Sequence, residues 1–410
     1  MENYIKKFNE DNYYTKDELK YRVNRNEVDE IWNQLIKYRK EKGCKTIFKS
    51  QEGEIFSYYI REIMEKNINF LERSSKRNLS ELGNKKLVKK IYDESLIDEA
   101  MSSSAIEGAF STRRRTEELV NGSSNPENKD EKMILNNYHA LQFINENNKE
   151  ATTDQLIFNL HNIITEGTLE ENDITERYRD DIVMVKDGNL NIIYEAPRYD
   201  LVEGLMKKLI DYINEDSSEN KFIKASIIQF IFLYIHPFFD GNGRTARALS
   251  YMYLIKNGYE FFKFFSISYV VNEYKSNYYK SILKCEDINS DLTYFIDFNI
   301  DMMSKAINNT LERYNNEYLK LEIKKYINNY RIHLTEEQKI MLEKYLKKTD
   351  KQLTVKKYSK ISGLAESTSI KHLNNFVKNK IFKKIKIDKE VIYILNTLEN
   401  FIYLNSEVEK

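Results

Sequence analysis

From Ile227 to Ile235 the chain is apolar apart from Gln229, and at His236-Pro237 that pattern stops. Proline has no N–H for a helical ladder and restricts the residue before it, so a buried helix must end there with His236 free to face a cleft. The apolar period resumes at Ala246, Leu249, Met252 and Leu254, so a second helix starts after a tight turn at Gly241-Asn242-Gly243. The whole chain of 410 residues has three prolines, twelve glycines and five histidines. One proline, two glycines and one histidine fall inside this single joint, so the joint is a built feature of the fold.

The joint carries chemistry as well as a turn. Glycines reach backbone conformations closed to other residues, and such turns aim successive N–H groups at one point that attracts anions. The N-terminus of the second helix adds free N–H groups and a favourable dipole for phosphate. Arg244 and Arg247 lie three apart, hence on one helix face, where forked guanidinium groups can grip neighbouring phosphates. Asp240 is a hard oxygen ligand of the kind Mg2+ takes beside substrate phosphates and water.

The run His236-Pro237-Phe238-Phe239-Asp240-Gly241-Asn242-Gly243-Arg244-Thr245-Ala246-Arg247 resembles the Fic motif, H-x-F-x-[DE]-G-N-G-R-x-x-R, at every defined position. The resemblance implies a mainly α fold with a helical core, and transfer of AMP from ATP to a hydroxyl of a target protein. It casts His236 as general base and Asp240 as the Mg2+ ligand. Gly241, Asn242 and Gly243 would line the anion hole, Arg244 steady the α- and β-phosphates, Arg247 reach the γ-phosphate, and Phe238 anchor the loop. Kinase-like relatives of the Doc type carry lysine for the second glycine and lack the last arginine. Gly243 and Arg247 therefore favour AMP transfer.

Upstream, Ser103-Ser104-Ala105-Ile106-Glu107-Gly108 resembles the Fic inhibitory motif, [ST]-x-x-x-E-[GN]. By that likeness a helix carrying Ser103 sets Glu107 against Arg247, where the γ-phosphate would sit. In some relatives the same glutamate serves AMP removal, so deAMPylation is an alternative activity. Residues 181–197 pair two β-prone runs around Asp187-Gly188, a hairpin signal. In Fic proteins a flap at this place holds the target main chain as an added strand, which an exposed strand edge suits. A purely structural hairpin is the alternative. Arg179, just before it, matches a family arginine for which the sequence offers no role.

The segment Ser268–Tyr279 resembles the family helix beside the adenine pocket. There the Asn272 carboxamide could match an adenine edge, and a solvated asparagine at a helix start is the competing reading. His139, His161, His333 and His372 show no ligand spacing and read as core or surface residues. Cys44 and Cys285 form no pattern, which fits a reducing cytoplasm.

The start, Met1-Glu2-Asn3-Tyr4, shows no secretory signal, and the longest apolar stretch is too short to cross a bilayer. A soluble, cytoplasmic protein without membrane contact is expected. Lysine plus arginine equals aspartate plus glutamate at 64 each, so the overall charge says nothing of nucleic acid. The domain reading is an N-terminal helical region with the inhibitory helix over 1–120, a catalytic core over 131–305, a helical connector over 306–333 and a small domain over 334–410. Residues 1 to about 95 read as mixed helical material with few breakers, a layer supporting the inhibitory segment, and Asn121–Glu127 as the loop before the core.

The tail from Leu334 to Asn396 has 15 lysines against 7 acids. It parses as helices over Thr335–Lys347, Val355–Ser362 and Ser367–Val377, followed by strands over Ile381–Ile387 and Val391–Leu395. This resembles a winged helix-turn-helix, a companion of many Fic cores. Its third helix would bring Ser367, Thr368, Lys371 and His372 to DNA, or the module would serve a homodimer or another partner. The expected function is a protein adenylyltransferase using ATP and Mg2+, restrained by Glu107. The competing readings are a deAMPylase, or a DNA-binding regulator whose core senses nucleotide.

Overall fold

A computed structural model describes residues 2–75, 84–175, 177–186, 192–288, 290–346, 352–387 and 390–406. Among them the chain is mainly helical, with three small antiparallel sheets. It divides into two compact units, residues 1–82 with 90–308, and residues 83–89 with 309–410.

In the first unit, α1 (Glu2–Lys6) and α2 (Lys16–Leu19) lead into α3 (Val28–Lys42). Ile31, Trp32 and Leu35 of α3 pack with Phe8 and Leu19. The buried Arg39 donates to Asn9 Oδ1 at 2.7 Å and to the carbonyls of Phe8 and Tyr14 at 3.2 and 3.0 Å, which satisfies backbone acceptors that no ladder reaches. The helical expectation for residues 1–95 needs correction, because β1 (Cys44–Lys49) and β2 (Ile55–Tyr58) form an antiparallel hairpin there. Thr46, Ile47 and Phe48 before a turn with Gly53 at φ 85° carry a strand-and-turn signal that outweighs the helical neighbours.

Helices α4 (Glu62–Ser75), α5 (Lys85–Ile106), α6 (Arg113–Val120), α7 (Lys129–Asn147) and α8 (Asp154–Thr165) follow. Thr112, Asn128 and Thr153 cap α6, α7 and α8 through their side-chain oxygens, the usual satisfaction of first-turn N–H groups. The expected loop at Asn121–Glu127 separates α6 from α7. Strands β3 (Met184–Lys186) and β4 (Ile192–Glu195) pair antiparallel, Met184 opposite Glu195 and Val185 opposite Tyr194. The expected hairpin is therefore present, while its Asp187-Gly188 turn lies outside the described residues.

Helix α9 (Tyr199–Asn214) leads to α10 (Lys221–Ile235) and α11 (Asn242–Lys256). Almost every residue of α10 is buried, as an all-round apolar helix must be. Small residues let α11 lie close, and Ser250 Oγ donates to Ala225 O at 3.0 Å. Helices α12 (Ile267–Glu273), α13 (Lys275–Asp287) and α14 (Thr293–Asn329) follow. The helical connector expected over 306–333 is, as far as Asn329, the second half of α14.

In the second unit, Leu319, Ile323 and Tyr326 of α14 share a core with α15 (Glu336–Leu346), β5 (Gln352–Leu353), α16 (Val355–Ser362), α17 (Glu366–Lys378), β6 (Phe382–Ile387), β7 (Glu390–Leu395) and α18 (Leu398–Ser406). The strand order is β5-β7-β6. The three helices and two strands read from sequence are there, and β5 and α18 are additions. Two residues are too short for a strand signal, so β5 was not legible. His372 is a correction. It is buried and shares a 3.0 Å hydrogen bond with the Tyr358 hydroxyl, so it cannot reach a nucleic acid. The outward face of α17 is Ser367, Ile370, Lys371, Asn374 and Lys378.

Ala225 is fully buried beside Ser250. Ala225→Leu should overpack the α10–α11 contact and cost about 1–3 kcal/mol, read as a lowered midpoint in urea unfolding. An unchanged midpoint would mean that the two helices are not in close contact there.

Candidate active site

Helix α10 is capped at its start by Asn220, whose Oδ1 accepts from Phe222 and Ile223 N–H. It ends at His236, which takes the left-handed conformation at φ 51°, ψ 59°. For a residue with a Cβ this costs of order 1–3 kcal/mol, and surrounding contacts must hold it. His236 N–H donates to Phe232 O at 3.0 Å. Its Nδ1 lies 3.2 Å from Leu233 O. A carbonyl only accepts, so the ring proton sits on Nδ1 and Nε2 presents a lone pair. Burial pushes the imidazole down to about 4, so at neutral pH it is uncharged and able to take a proton.

The loop after His236 is fixed from two sides. The Asn242 carboxamide brackets Phe238, accepting from its N–H at 3.0 Å and donating to its carbonyl at 2.7 Å. The Asn242 side chain is thereby spent on the loop, and what Asn242 can offer an anion is its backbone N–H. On the other side, His161 stacks on Phe238 with ring centroids 3.6 Å apart and donates from Nε2 to Asp240 O at 2.9 Å. Burial pushes this imidazole also down to about 4.

Gly241 sits at φ 82°, and a Cβ there would come within 2.6 Å of Thr165 Cγ2, so both conformation and space demand glycine. The first bond of the α11 ladder runs from Thr245 N–H to Gly241 O. The N–H groups of Asn242, Gly243 and Arg244 therefore precede the ladder, as at other anion-binding helix starts. The Asp240 side chain is half-exposed beside them.

Two buried guanidinium groups lie behind this helix start. Arg244 donates from Nη1 to Ile164 O at 3.0 Å, and its Nη2 stays 3.6 Å from Asp240 Oδ1. Its Nε and Nη2 are buried without a hydrogen-bond partner. Arg247 gives Nε to Ser103 Oγ at 3.0 Å, and Nη2 to Ser103 O at 2.8 Å and Glu107 Oε1 at 2.9 Å, while Nη1 is left over. Burial works against the Arg247 charge, and Glu107 together with the Tyr278 side chain more than offsets it, so the group titrates above its ordinary value. Unpaired buried donors are rare and costly. Here they fit an anion of several oxygens.

Ser103 and Glu107 are thus brought to Arg247 by the end of α5. Sequence reasoning missed what holds that end. Lys275 Nζ and the Tyr279 hydroxyl donate to the Ala105 and Ile106 carbonyls at 3.1 and 3.0 Å, satisfying last-turn acceptors that a helix leaves open. Asn137 Nδ2 donates to Ser104 Oγ at 2.7 Å. Glu99, one helical face along, accepts from Ser268 N–H at 2.9 Å and Ser266 Oγ at 3.1 Å. Gly243 leaves room for the arrangement, since a Cβ there would overlap the Glu107 carboxylate.

Asn272 stands in the last turn of α12, half-buried, which corrects the helix-start reading. Among the described residues no hydrogen bond links its side chain to the loop or to the arginines. Among the described residues no three of His, Cys, Asp and Glu cluster as a metal site. A cation at Asp240 would take its remaining ligands from phosphate and water.

Residues 151–254 match the profile of the Fic/DOC family. The chain carries a Fic/DOC domain. Over 66 residues, 16% of this chain, it is 33% identical to protein adenylyltransferase fic-1 of Caenorhabditis briggsae and 32% to that of Caenorhabditis elegans, spanning 13% of the length of each. A Fic family protein from Desulfovibrio desulfuricans G20 superposes with TM-score 0.54 at 19% identity, over 82% of this chain and 95% of that one. Fic-1 from C. elegans does so with TM-score 0.53 at 17% identity, over 76% and 81%. These likenesses establish the Fic fold, and no helix among the described residues is long and apolar enough to cross a membrane.

His161 and His236 both titrate near 4 in the fold and near 6.5 when unfolded. Unfolded chain then binds more protons between those values, so stability is fully present above about 6.5 and is lost as pH falls toward about 4. Ring-proton NMR should give acid midpoints for both residues, and His161→Gln should flatten part of the pH dependence of urea unfolding. Midpoints near 6.5 would place both rings in water.

Proposed function

We propose that this Fic domain transfers AMP from ATP to a Ser, Thr or Tyr hydroxyl of a target protein, with Glu107 as its inhibitor. One observation carries the reading: a histidine whose Nδ1 is spent on Leu233 O opens the loop that leads to two buried arginines with unpaired donors. His236 Nε2 takes the proton of the attacking hydroxyl. The new bond joins that oxygen to the α-phosphorus, the bond from the α-phosphorus to the bridging oxygen breaks, and pyrophosphate leaves. Arg244 and the first N–H groups of α11 hold the α- and β-phosphates, and Arg247 holds the γ-phosphate. Asp240 is the residue to hold Mg2+, which when bound would neutralise charge on those phosphates.

Glu107 already occupies one arm of Arg247. ATP then cannot seat its γ-phosphate, and an error near the reacting centre costs on the order of a hundredfold. The flap offers its outer strand to the target main chain. Removal of AMP is the competing activity, with Glu107 aiding water, and the two diverge when Glu107 is removed.

The exposed lysines of the second unit favour a second role for that unit. Lys371 and Lys378 lie on the open face of α17, and Lys383, Lys384 and Lys386 on β6. This is the footprint of a phosphate-backbone contact. The full chain should bind duplex DNA with affinity falling steeply as salt rises, and the charge-removing Lys371→Gln, Lys378→Gln pair should flatten that slope. Absence of binding at low salt would leave the unit to protein partners.

The core reading is tested with ATP labelled at the α- or the γ-phosphate and cell lysate. Glu107→Gly should raise labelling from the α-phosphate only. His236→Ala in the same background should lose on the order of 10² to 10⁴ in rate with ATP binding retained. Label arriving from the γ-phosphate, or AMP removal surviving Glu107→Gly, would overturn it.

A further inference from the structure

Arg179 is almost wholly buried and makes no ion pair among the described contacts. Its guanidinium spends its donors on carbonyls from two parts of the chain. Nε donates to His236 O at 2.8 Å and Nη2 reaches Ile235 O at 3.4 Å, the last acceptors of α10. Nη1 donates to Asp181 O at 2.7 Å and Nη2 to Pro197 O, the two legs of the β3–β4 flap. Its own N–H donates to Pro237 O at 2.9 Å. The strand ladder continues down to this point, since Ala196 N–H donates to Val183 O at 3.1 Å. Arg179, through its guanidinium and its own N–H, therefore joins both legs of the flap to the backbone on both sides of the left-handed His236.

We infer that Arg179 is the positioning residue that couples the flap to the catalytic histidine, so that seating a target strand on the flap sets the aim of the base. This rests on the reading of His236 as base. A guanidinium suits the task for two reasons. Its charge lies against helix-end carbonyls, where cations are favoured. Its rigid fork reaches acceptors on two sides at once, which a lysine ammonium at the end of a flexible stem does not. Neighbouring contacts support the same joint. The Tyr178 ring packs on Phe238 with centroids 5.7 Å apart, and the Tyr194 hydroxyl donates to Tyr234 O at 2.6 Å. His236 pays for its strained conformation through this cluster, and Arg179 is the member that touches its carbonyl.

The test uses the full chain in the Glu107→Gly background, with self-labelling from ATP labelled at the α-phosphate. Arg179→Lys should lower the rate at saturating ATP by on the order of a hundredfold, the scale of a misplaced reacting group, while the KM for ATP stays unchanged because Arg179 touches no phosphate-binding group. Hydrogen exchange read by mass spectrometry should rise together in peptides covering 181–197 and 233–240. An unchanged rate, a rate loss matched by lost ATP affinity, or faster exchange in only one of the two peptides would overturn the coupling. A Glu107→Gly parent that transfers no AMP would instead count against the proposed function, and the exchange comparison would still decide the coupling.

Discussion

The guanidinium of Arg247 is a buried charge, and the site is organised around the need to satisfy it. Ser103 supplies a hydroxyl and a carbonyl, Glu107 supplies the opposite charge, and one arm remains open. Removing the partner of such a charge costs about 3–5 kcal/mol unless another anion replaces it. Glu107 and a phosphate are therefore alternatives at one place. On the proposed reading, regulation and substrate binding become one competition, and the space for the carboxylate exists because residue 243 has no Cβ.

The helices exist in an order that serves this competition. The mostly buried α10 fixes where the chain must stop, Pro237 and Gly241 turn it, and α11 starts a few residues after His236 with N–H groups that precede its ladder. Helix α5 ends beside α11 and is held there by Lys275, Tyr279, Asn137 and Glu99. Those four contacts give the inhibitory carboxylate a defined position. They also make its position depend on α13, which carries Lys275 and Tyr279.

The turn from His236 to Arg247 was legible because it concentrates residues the chain otherwise avoids, and breakers act locally. The helix limits around it follow from Pro237 and the glycines. Arg179, His161, Lys275 and Tyr279 were not legible, because each acts on a backbone carbonyl of a distant segment, and a carbonyl leaves no mark in a sequence. The same holds for Asn242, whose side chain serves Phe238 across the loop. His372 was misplaced because a histidine on a lysine-rich helix reads as surface until its face is known, and that face meets Tyr358. The hairpin at Cys44–Tyr58 carried a signal of its own and lost it among helical neighbours.

The competition at Arg247 is measured most directly by comparing ATP with ADP, which lacks the γ-phosphate, by titration calorimetry. In the parent chain the two should bind with similar affinity, since Glu107 denies the γ-phosphate its arginine. In Glu107→Gly a preference for ATP should emerge, and Arg247→Ala in that background should abolish it. An ATP preference already present in the parent and unaltered by Glu107→Gly would contradict the account.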